Sequence, residues 1–300
     1  MKGLRFCATY FRDSTFPDFA SKLGNVGLLK FDVMKDSIPG SYDTCLYLAG
    51  SSDHAAAFHD ARQDLILNTA GLVNFLQHVD HLESLVLLSS AAVYHGHRCQ
   101  VSPETPLSPE HPYAISKMAT ESYVRYFARA GKIDNYLILR LYHAYGPYER
   151  PRRIMARLLE TFLLKRESQF TVNGDGKTLM DVTHVDELVQ VLLNVLVKGG
   201  FHNETLDLCS GTPLSLFELA EKTAKAIGMD AKINVNPAVK VDPILFWSKP
   251  EANTRFLSRK DRINLTEGVK RYAAWLLSRR PEVSPEGRSG VTSVGQTPPP

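Results

Sequence analysis

Two stretches decide how this chain is read: Leu85-Val-Leu-Leu-Ser-Ser-Ala-Ala-Val-Tyr94 and, a little further on, Tyr113-Ala-Ile-Ser-Lys117. The first is an unbroken apolar run ending in two serines. Such a run fits a strand buried on both faces, as in a parallel sheet covered by helices. Polar groups at the carboxyl end of such a strand face the ligand crevice, which makes Ser90 a candidate site residue. The second stretch opens a segment, Tyr113–Ala130, whose apolar residues recur at helical spacing. Tyr113 and Lys117 then lie one turn apart on the same face. A free phenol titrates near about 10. A neighbouring ammonium favours phenolate and moves it towards the range where it exchanges protons at neutral pH. The spacing therefore predicts Ser90 and Tyr113 hydroxyls on one cleft, with Lys117 Nζ near the ring. Read singly, Ser89 and Ser90 are equally compatible with strand-end residues that satisfy a turn.

Outward from this centre, short runs rich in β-formers (Leu4–Tyr10, Gly27–Phe31, Thr44–Ala49, Ser84–Ser89, Tyr136–Leu141) alternate with helical patterns at Asp60–His78 and Tyr113–Ala130. That alternation predicts an α/β fold, a doubly wound parallel, Rossmann-like sheet. After Pro147 come helical patterns at Ile154–Lys165, Val185–Val197 and Leu265–Leu277, a short strand at Thr205–Cys209, and capping-box spacing at Ser215–Glu218. Three parts are expected: a dinucleotide-binding domain over 1–147, a smaller substrate lobe over 148–277 with segments returning to the sheet, and a disordered tail rich in Pro, Gly, Ser and Arg over 278–300. The 300 residues are 44% hydrophobic and 22% charged, enough for a sizeable core. A net charge of +3 is too small for a dedicated nucleic-acid binder. No apolar run approaches the ~18 residues that cross a bilayer, and Met1-Lys2-Gly3-Leu4-Arg5 does not open a signal peptide. Cys7, Cys45, Cys99 and Cys209 form no CxxC, so neither a disulfide framework nor a zinc site is expected, and the reading is cytoplasmic. The closest histidine pairs, His78/His81 and His95/His97, show no clustered third ligand in sequence and read as surface residues; no metal site is expected.

The landmarks, taken in order, carry a resemblance: Phe31-Asp32-Val33; Tyr42-Asp43 and Leu48-Ala49-Gly50; Asn68-Thr-Ala-Gly71; Ser89 to Tyr94; Tyr113 and Lys117; Leu139-Arg140 to Tyr145-Gly146-Pro147; Gly174-Asp175-Gly176; Asp181 to Asp186; Leu265 to Gly268 before Trp275. Over about Leu4 to Trp275 the chain resembles the extended short-chain dehydrogenase/reductase family, in particular its NAD-dependent nucleotide-sugar epimerases and dehydratases. The resemblance implies Ser90, Tyr113 and Lys117 as catalytic triad, with Lys117 also on the nicotinamide ribose. It implies Asp32 and Val33 beside the adenine, Leu48, Ala49 and Gly50 along the cofactor's middle, Asn68 near the cofactor, and Tyr142 beside the nicotinamide. Ser90, His143 and Lys249 fall at substrate-facing positions. NAD or NADP is the implied cofactor, a nucleotide sugar the implied small-molecule partner, and a homodimer through the helices that include the Tyr113 one the implied assembly. Neither nucleic acid nor membrane is an expected partner.

Several positions depart from that pattern. Ala91 and Ala92 stand where sugar dehydratases carry an acidic pair, which favours an epimerase or reductase. His143 replaces an asparagine, Met180 and Lys249 replace arginines that grip diphosphate, and Lys lacks the bidentate fork. The family's opening strand with its Gly-x-x-Gly-x-x-Gly turn, about 25 residues in one β-α unit, does not occur. The expected sheet is therefore amino-terminally truncated, its dinucleotide affinity severely reduced, and the reading frame expected to begin upstream. Arg12 and Asp13 are the candidates for discriminating NADP from NAD. The leading expectation is an NAD(P)-dependent epimerase of a nucleotide-activated sugar working through a transient keto intermediate. The alternatives are a family reductase or a catalytically silent relative that binds sugar or nucleotide without holding dinucleotide.

Overall fold

The computed structural model describes residues 5–12 and 15–279. Strands β1 (Phe6–Tyr10), β2 (Val26–Lys30), β3 (Ser41–Tyr47), β4 (His81–Ser90) and β5 (Ile133–Leu141) come first. β6 (His143–Tyr145), β7 (Gln169–Asn173), β8 (Leu179–Met180), β9 (Val182–His184), β10 (Glu204–Leu208), β11 (Leu214–Ser215) and β12 (Lys232–Asn236) follow. The main sheet has the order β10-β5-β4-β3 and is parallel throughout. Helices cross between its strands, as parallel pairing requires.

Side chains alternate between the two faces of β4 and β5, and both faces are covered. Leu85 and Leu87 of β4 and Ile138 of β5 pack with Leu72, Leu76, Val124 and Phe127 from the helices Gly71–His78 and Pro112–Arg129. Val86, Leu137 and Leu139 point the other way, against Leu188, Val191 and Val195 of the helix Val185–Lys198. Each such buried leucine stabilises the fold by about 1.5–3 kcal/mol relative to exposure, which is why these runs carry almost no polar residue.

β1 and β2 form a separate parallel pair. Among the described residues β1 pairs only with β2, and β3 only with β4. Of the two arrangements open to the sequence, direct pairing of β1 with β3 or a persisting gap, the structure adopts the gap. The first four residues of β3 are correspondingly exposed.

The later half builds a second cluster around Leu158, Leu159 and Phe162, Leu219 and Ala220, and Val269 and Tyr272. Its helix Leu216–Ala226 begins on the expected capping box: Glu218 N donates to Ser215 Oγ at 3.2 Å, and Ser215 N to Glu218 Oε2 at 2.8 Å. β10 returns from this half to lie beside β5. Ser278, expected to begin the tail, instead closes the helix Leu265–Ser278; the tail beyond Arg279 lies outside the described residues.

Candidate active site

Register brings three strand ends to one edge. Tyr47 pairs with Leu87 and Ser90 with Leu141. The loops that follow, Leu48-Ala49-Gly50, Ala91-Ala92 and Tyr142-His143, therefore leave the sheet side by side and line one cleft of 670 Å³. Tyr113 and Lys117 line it from the helix Pro112–Arg129. That helix starts where it does because Pro112 has the preset φ of a first helical residue and His111 caps it, accepting from Ala114 N at 3.3 Å.

Ser90 caps a turn and lines the cleft at once. Its Oγ accepts from Ala92 N at 3.2 Å and caps the short 3-10 turn Ala91–Tyr94, while the residue faces the cleft. Lys117 Nζ stands 5.9 Å from the centre of the Tyr113 ring and donates to Leu88 O at 3.1 Å. Burial pushes Lys117 down to about 8, against the pull of Asp64 and Glu121. The expectation that a cation lowers Tyr113 needs correction. Burial dominates and raises the phenol; the groups that oppose it are Ser90, through a hydrogen bond, and Arg153. Lys117 is half-buried and donates to Leu88 O, and it is not among the groups that set the balance at the hydroxyl.

Sequence reasoning missed the imidazoles around Tyr113. His54 stacks on its ring at 4.4 Å between centroids, His111 lies nearly parallel to it at 6.2 Å, and His95 meets His111 edge-on at 5.0 Å. Burial lowers His111, and burial with the charge of Arg153 brings His143 down to about 4, so both are neutral at physiological pH. Arg153, on the same wall, donates to Ser52 O at 3.3 Å.

Beneath the cleft floor sits a polar layer. Asn68 lies in a wide π-turn, Ile66–Ala70, and accepts from Ser51 N at 2.9 Å while donating to Asp64 Oδ1 at 2.9 Å. Ser116 donates to Asp64 Oδ2 at 2.6 Å. Gly50 has φ +142°, and a Cβ there would stand 2.5 Å from Asn68 Oδ1. Only glycine lets this loop pass so close to Asn68. Asp64 had a signal in the sequence, one helical turn before Asn68. So did Glu121, one turn after Lys117; it accepts from Ser89 Oγ at 2.7 Å and from Arg140 Nε at 2.9 Å.

Other expected residues fall elsewhere. Asn68 supports the cleft without lining it. Asp32 and Val33 follow β2 outside the cleft: Asp32 Oδ1 accepts from Met34 N at 3.0 Å, and Val33 O from Asn74 Nδ2 at 2.8 Å. Lys249 is exposed and does not line the cleft, because Ser248 turns inward to Asp207 at 2.6 Å and alternation sends its neighbour out. Tyr142 and His143 do line it, with Tyr142 Oη and His143 Nδ1 buried and unpartnered. Tyr142 Oη is thus a free donor and acceptor at the position expected beside the nicotinamide, and His143 Nδ1 a free ring nitrogen at the position expected to face substrate. At the β1 edge the described residues carry no glycine-rich turn. Arg12 lies over the Phe11 ring, and Asp13 is outside the described residues. Of the histidines weighed as ligands, His78 Nδ1 lies 2.8 Å from Asn74 O, His81 3.1 Å from Asp134 and His97 2.8 Å from Pro106 O. His95 instead faces Glu110 and Asp242.

Residues 12–209 match the model of the NAD dependent epimerase/dehydratase family. An uncharacterized UDP-glucose epimerase, YtcB of Bacillus subtilis, is 25% identical over 197 residues, 66% of this chain and 61% of its own length; the chain thus spans less than two thirds of that relative. Among solved structures, MoeE5 in complex with UDP-glucose and NAD superposes with a TM-score of 0.74 at 20% identity, covering 92% of this chain and 99% of that one. RMD from Pseudomonas aeruginosa, complexed with NADPH, gives 0.72 at 18% identity, covering 92% and 100%. No helix among the described residues is long and apolar enough to cross a membrane.

Proposed function

Because the chain belongs to the NAD dependent epimerase/dehydratase family, we propose that it epimerises a nucleotide-activated sugar through a transient keto form, with NAD or NADP as cofactor. One observation carries this reading: Ser90, Tyr113 and Lys117 converge on the cleft that Leu48-Ala49-Gly50 enters. A nicotinamide dinucleotide held along Leu48-Ala49-Gly50 and by Lys117 would supply hydride transfer at a sugar carbon. The chain supplies the rest. The Tyr113 oxygen, whose deprotonated form Ser90 and Arg153 favour against burial, takes the proton of the reacting sugar hydroxyl as the hydride leaves and gives it back when the keto form is reduced. Ser90 Oγ donates to that same sugar oxygen. Lys117, held by Leu88 O, orients the ribose beside Tyr113. Tyr142 and His143 offer their free polar atoms to the opposite wall, and Arg153 supplies positive charge where Met180 and Lys249 do not. Among the residues after Ser90, Ala91 and Ala92 carry no acid to drive water elimination.

A homodimer through two helical segments agrees with the exposed Ile115, Tyr123 and Tyr126 on one and Phe58, Leu65 and Leu67 on the other. A cytoplasmic setting agrees with four free cysteines.

The experiment is product analysis of UDP-glucose incubated with the chain and NAD or NADP, against Tyr113→Phe. The variant removes one hydroxyl and keeps the fold, and its turnover falls by about 10²-fold or more. Normal turnover by Tyr113→Phe overturns the assignment. The unpaired β1 and β3 edges favour a second reading, a catalytically silent binder of the nucleotide sugar. That reading is supported by UDP-glucose binding with no dinucleotide binding and no product.

A further inference from the structure

At the mouth of the cleft, His95, Glu110 and Asp242 meet from three separate segments of the chain. His95 follows the turn after β4, Glu110 precedes the Tyr113 helix, and Asp242 belongs to the stretch after β12. His95 Nδ1 stands 3.6 Å from Glu110 Oε2 and 3.4 Å from Asp242 Oδ2. The His95 side chain is 9% exposed, and Nδ1 is sealed from solvent with no hydrogen-bond partner. Both separations exceed the range of a good hydrogen bond. A buried ring nitrogen left in that position costs free energy unless something satisfies it.

The same distances suit a different arrangement. Two atoms each about 2.1 Å from a tetrahedral ion lie about 3.4 Å apart. One ligand atom from each of the three residues falls within 4.8 Å of the others. We propose that His95, Glu110 and Asp242 bind a single divalent cation of the zinc class at the mouth of the cleft. Two carboxylates and a neutral imidazole balance the charge of such an ion, and the mixed nitrogen and oxygen donor set suits it. Glu110 folds back to this point because residue 96 is glycine. A Cβ at Gly96 would stand 2.8 Å from Glu110 Oε1 and 2.2 Å from Ser108 Oγ. His95 and Asp242 also line the cleft, so a fourth position on the ion opens towards an oxygen ligand of whatever occupies it. The ion would sit behind His111, whose ring is 5.0 Å from that of His95 and whose side chain caps the Tyr113 helix. The proposal does not depend on the epimerase reading.

The test uses the full chain, stripped with a chelator and desalted, and titrated with Zn²⁺ by calorimetry. Co²⁺ then replaces Zn²⁺ as a visible-absorption probe of coordination. One equivalent binds, and Co²⁺ gives the intense visible bands of low coordination number. Glu110→Gln and Asp242→Asn, both near-isosteric changes at exposed carboxylates, each weaken Zn²⁺ binding at least tenfold, and the double variant abolishes it. A thermal melt in Zn²⁺ shows a rise for the wild type that the double variant lacks. Absence of a saturable single equivalent overturns the proposal, and so does unchanged affinity in both carboxylate variants, which would place the ion on other histidines or cysteines.

Discussion

Replacing Glu121 by alanine will cost as much stability as truncating a large buried apolar side chain in the helix that carries Tyr113. Glu121 is fully buried and accepts from Ser89 Oγ at 2.7 Å, Arg140 Nε at 2.9 Å, Arg140 Nη2 at 2.8 Å and Arg125 Nη2 at 3.1 Å. Burial alone would raise its carboxyl; the hydrogen bonds and charge of Arg140, with Ser89 and Arg125, overcome that and hold it below its ordinary value. Alanine leaves the Arg140 guanidinium, 2% exposed, with only the Tyr94 hydroxyl and Pro103 O as hydrogen-bond partners. Removing one partner of a buried pair costs about 3–5 kcal/mol, because the other charge stays behind unpaired. For a chain of this size that lowers the melting temperature by on the order of 10 °C. Glutamine, which keeps an acceptor but not the charge, loses less. Urea unfolding followed by circular dichroism measures both, and the pair has a pH signature. A depressed carboxyl stabilises the fold above its unfolded value, 4.5, and that contribution fades as pH falls through the lower folded value. The gap between wild type and Glu121→Ala therefore narrows in acid. A cost below about 1 kcal/mol at neutral pH, where a buried pair demands several, refutes the account of Glu121 as the anchor joining this helix to β4 and β5.

Other outcomes follow from the same geometry. Gly50→Ala places a Cβ 2.5 Å from Asn68 Oδ1 at φ +142°, so nucleotide-sugar turnover falls while the melting temperature moves little, since the loop is exposed; unchanged turnover contradicts the close-approach argument. Lys117 titrates at about 8 in the fold against 10.5 unfolded, so the unfolded chain binds the extra proton between those values and stability rises with pH there. Unfolding of wild type and Lys117→Met at pH 7.5 and 9.5 should show that gain in the wild type alone. Asp64→Asn leaves one acceptor oxygen where Ser116 Oγ and Asn68 Nδ2 each use one, and so loosens Asn68 under Ser51. Amide exchange at Ser51 should accelerate, and an unchanged rate counts against the polar layer as the loop's support.

The sheet was legible because its strands are buried on both faces. The run ending in Ser90 has no polar interruption from Leu85 to Leu88, and the structure extends it at its start to His81, through the buried Leu82 and the exposed Glu83. The helix patterns at Tyr113–Ala130 and Leu265–Leu277 match the observed spans within one residue, since proline, caps and apolar spacing mark their ends locally. β7 and β12 were not read, because they alternate over only five residues and are stabilised by pairing across some sixty intervening residues. The site divides along the same line. Tyr113, Lys117 and Glu121 share one helical face and announce themselves by spacing. His54, His95, His111 and Arg153 come from four separate segments, and only the folded chain gathers them around Tyr113. Lys249 is the reverse case: its place in the family pattern suggested a role, while the inward turn of Ser248 sends it to solvent.

The separation of β1 from β3 also divides the molecule energetically. β4 and β5 have sheet neighbours on both sides and a covered face on each, so their amides open only when the whole fold does. β1 and β2 share one ladder, expose alternate side chains, and are tied to the rest largely through Phe31, Val33 and the bonds that Asn74 Nδ2 donates to Val33 O and Asp36 O. Such a segment behaves as a separate cooperative unit of low opening free energy. Hydrogen exchange should then run in two tiers, fast over β1 and β2 and slow over 82–90 and 133–141. Proteolysis at native conditions should enter through the first tier and leave the site at the ends of β4 and β5 intact.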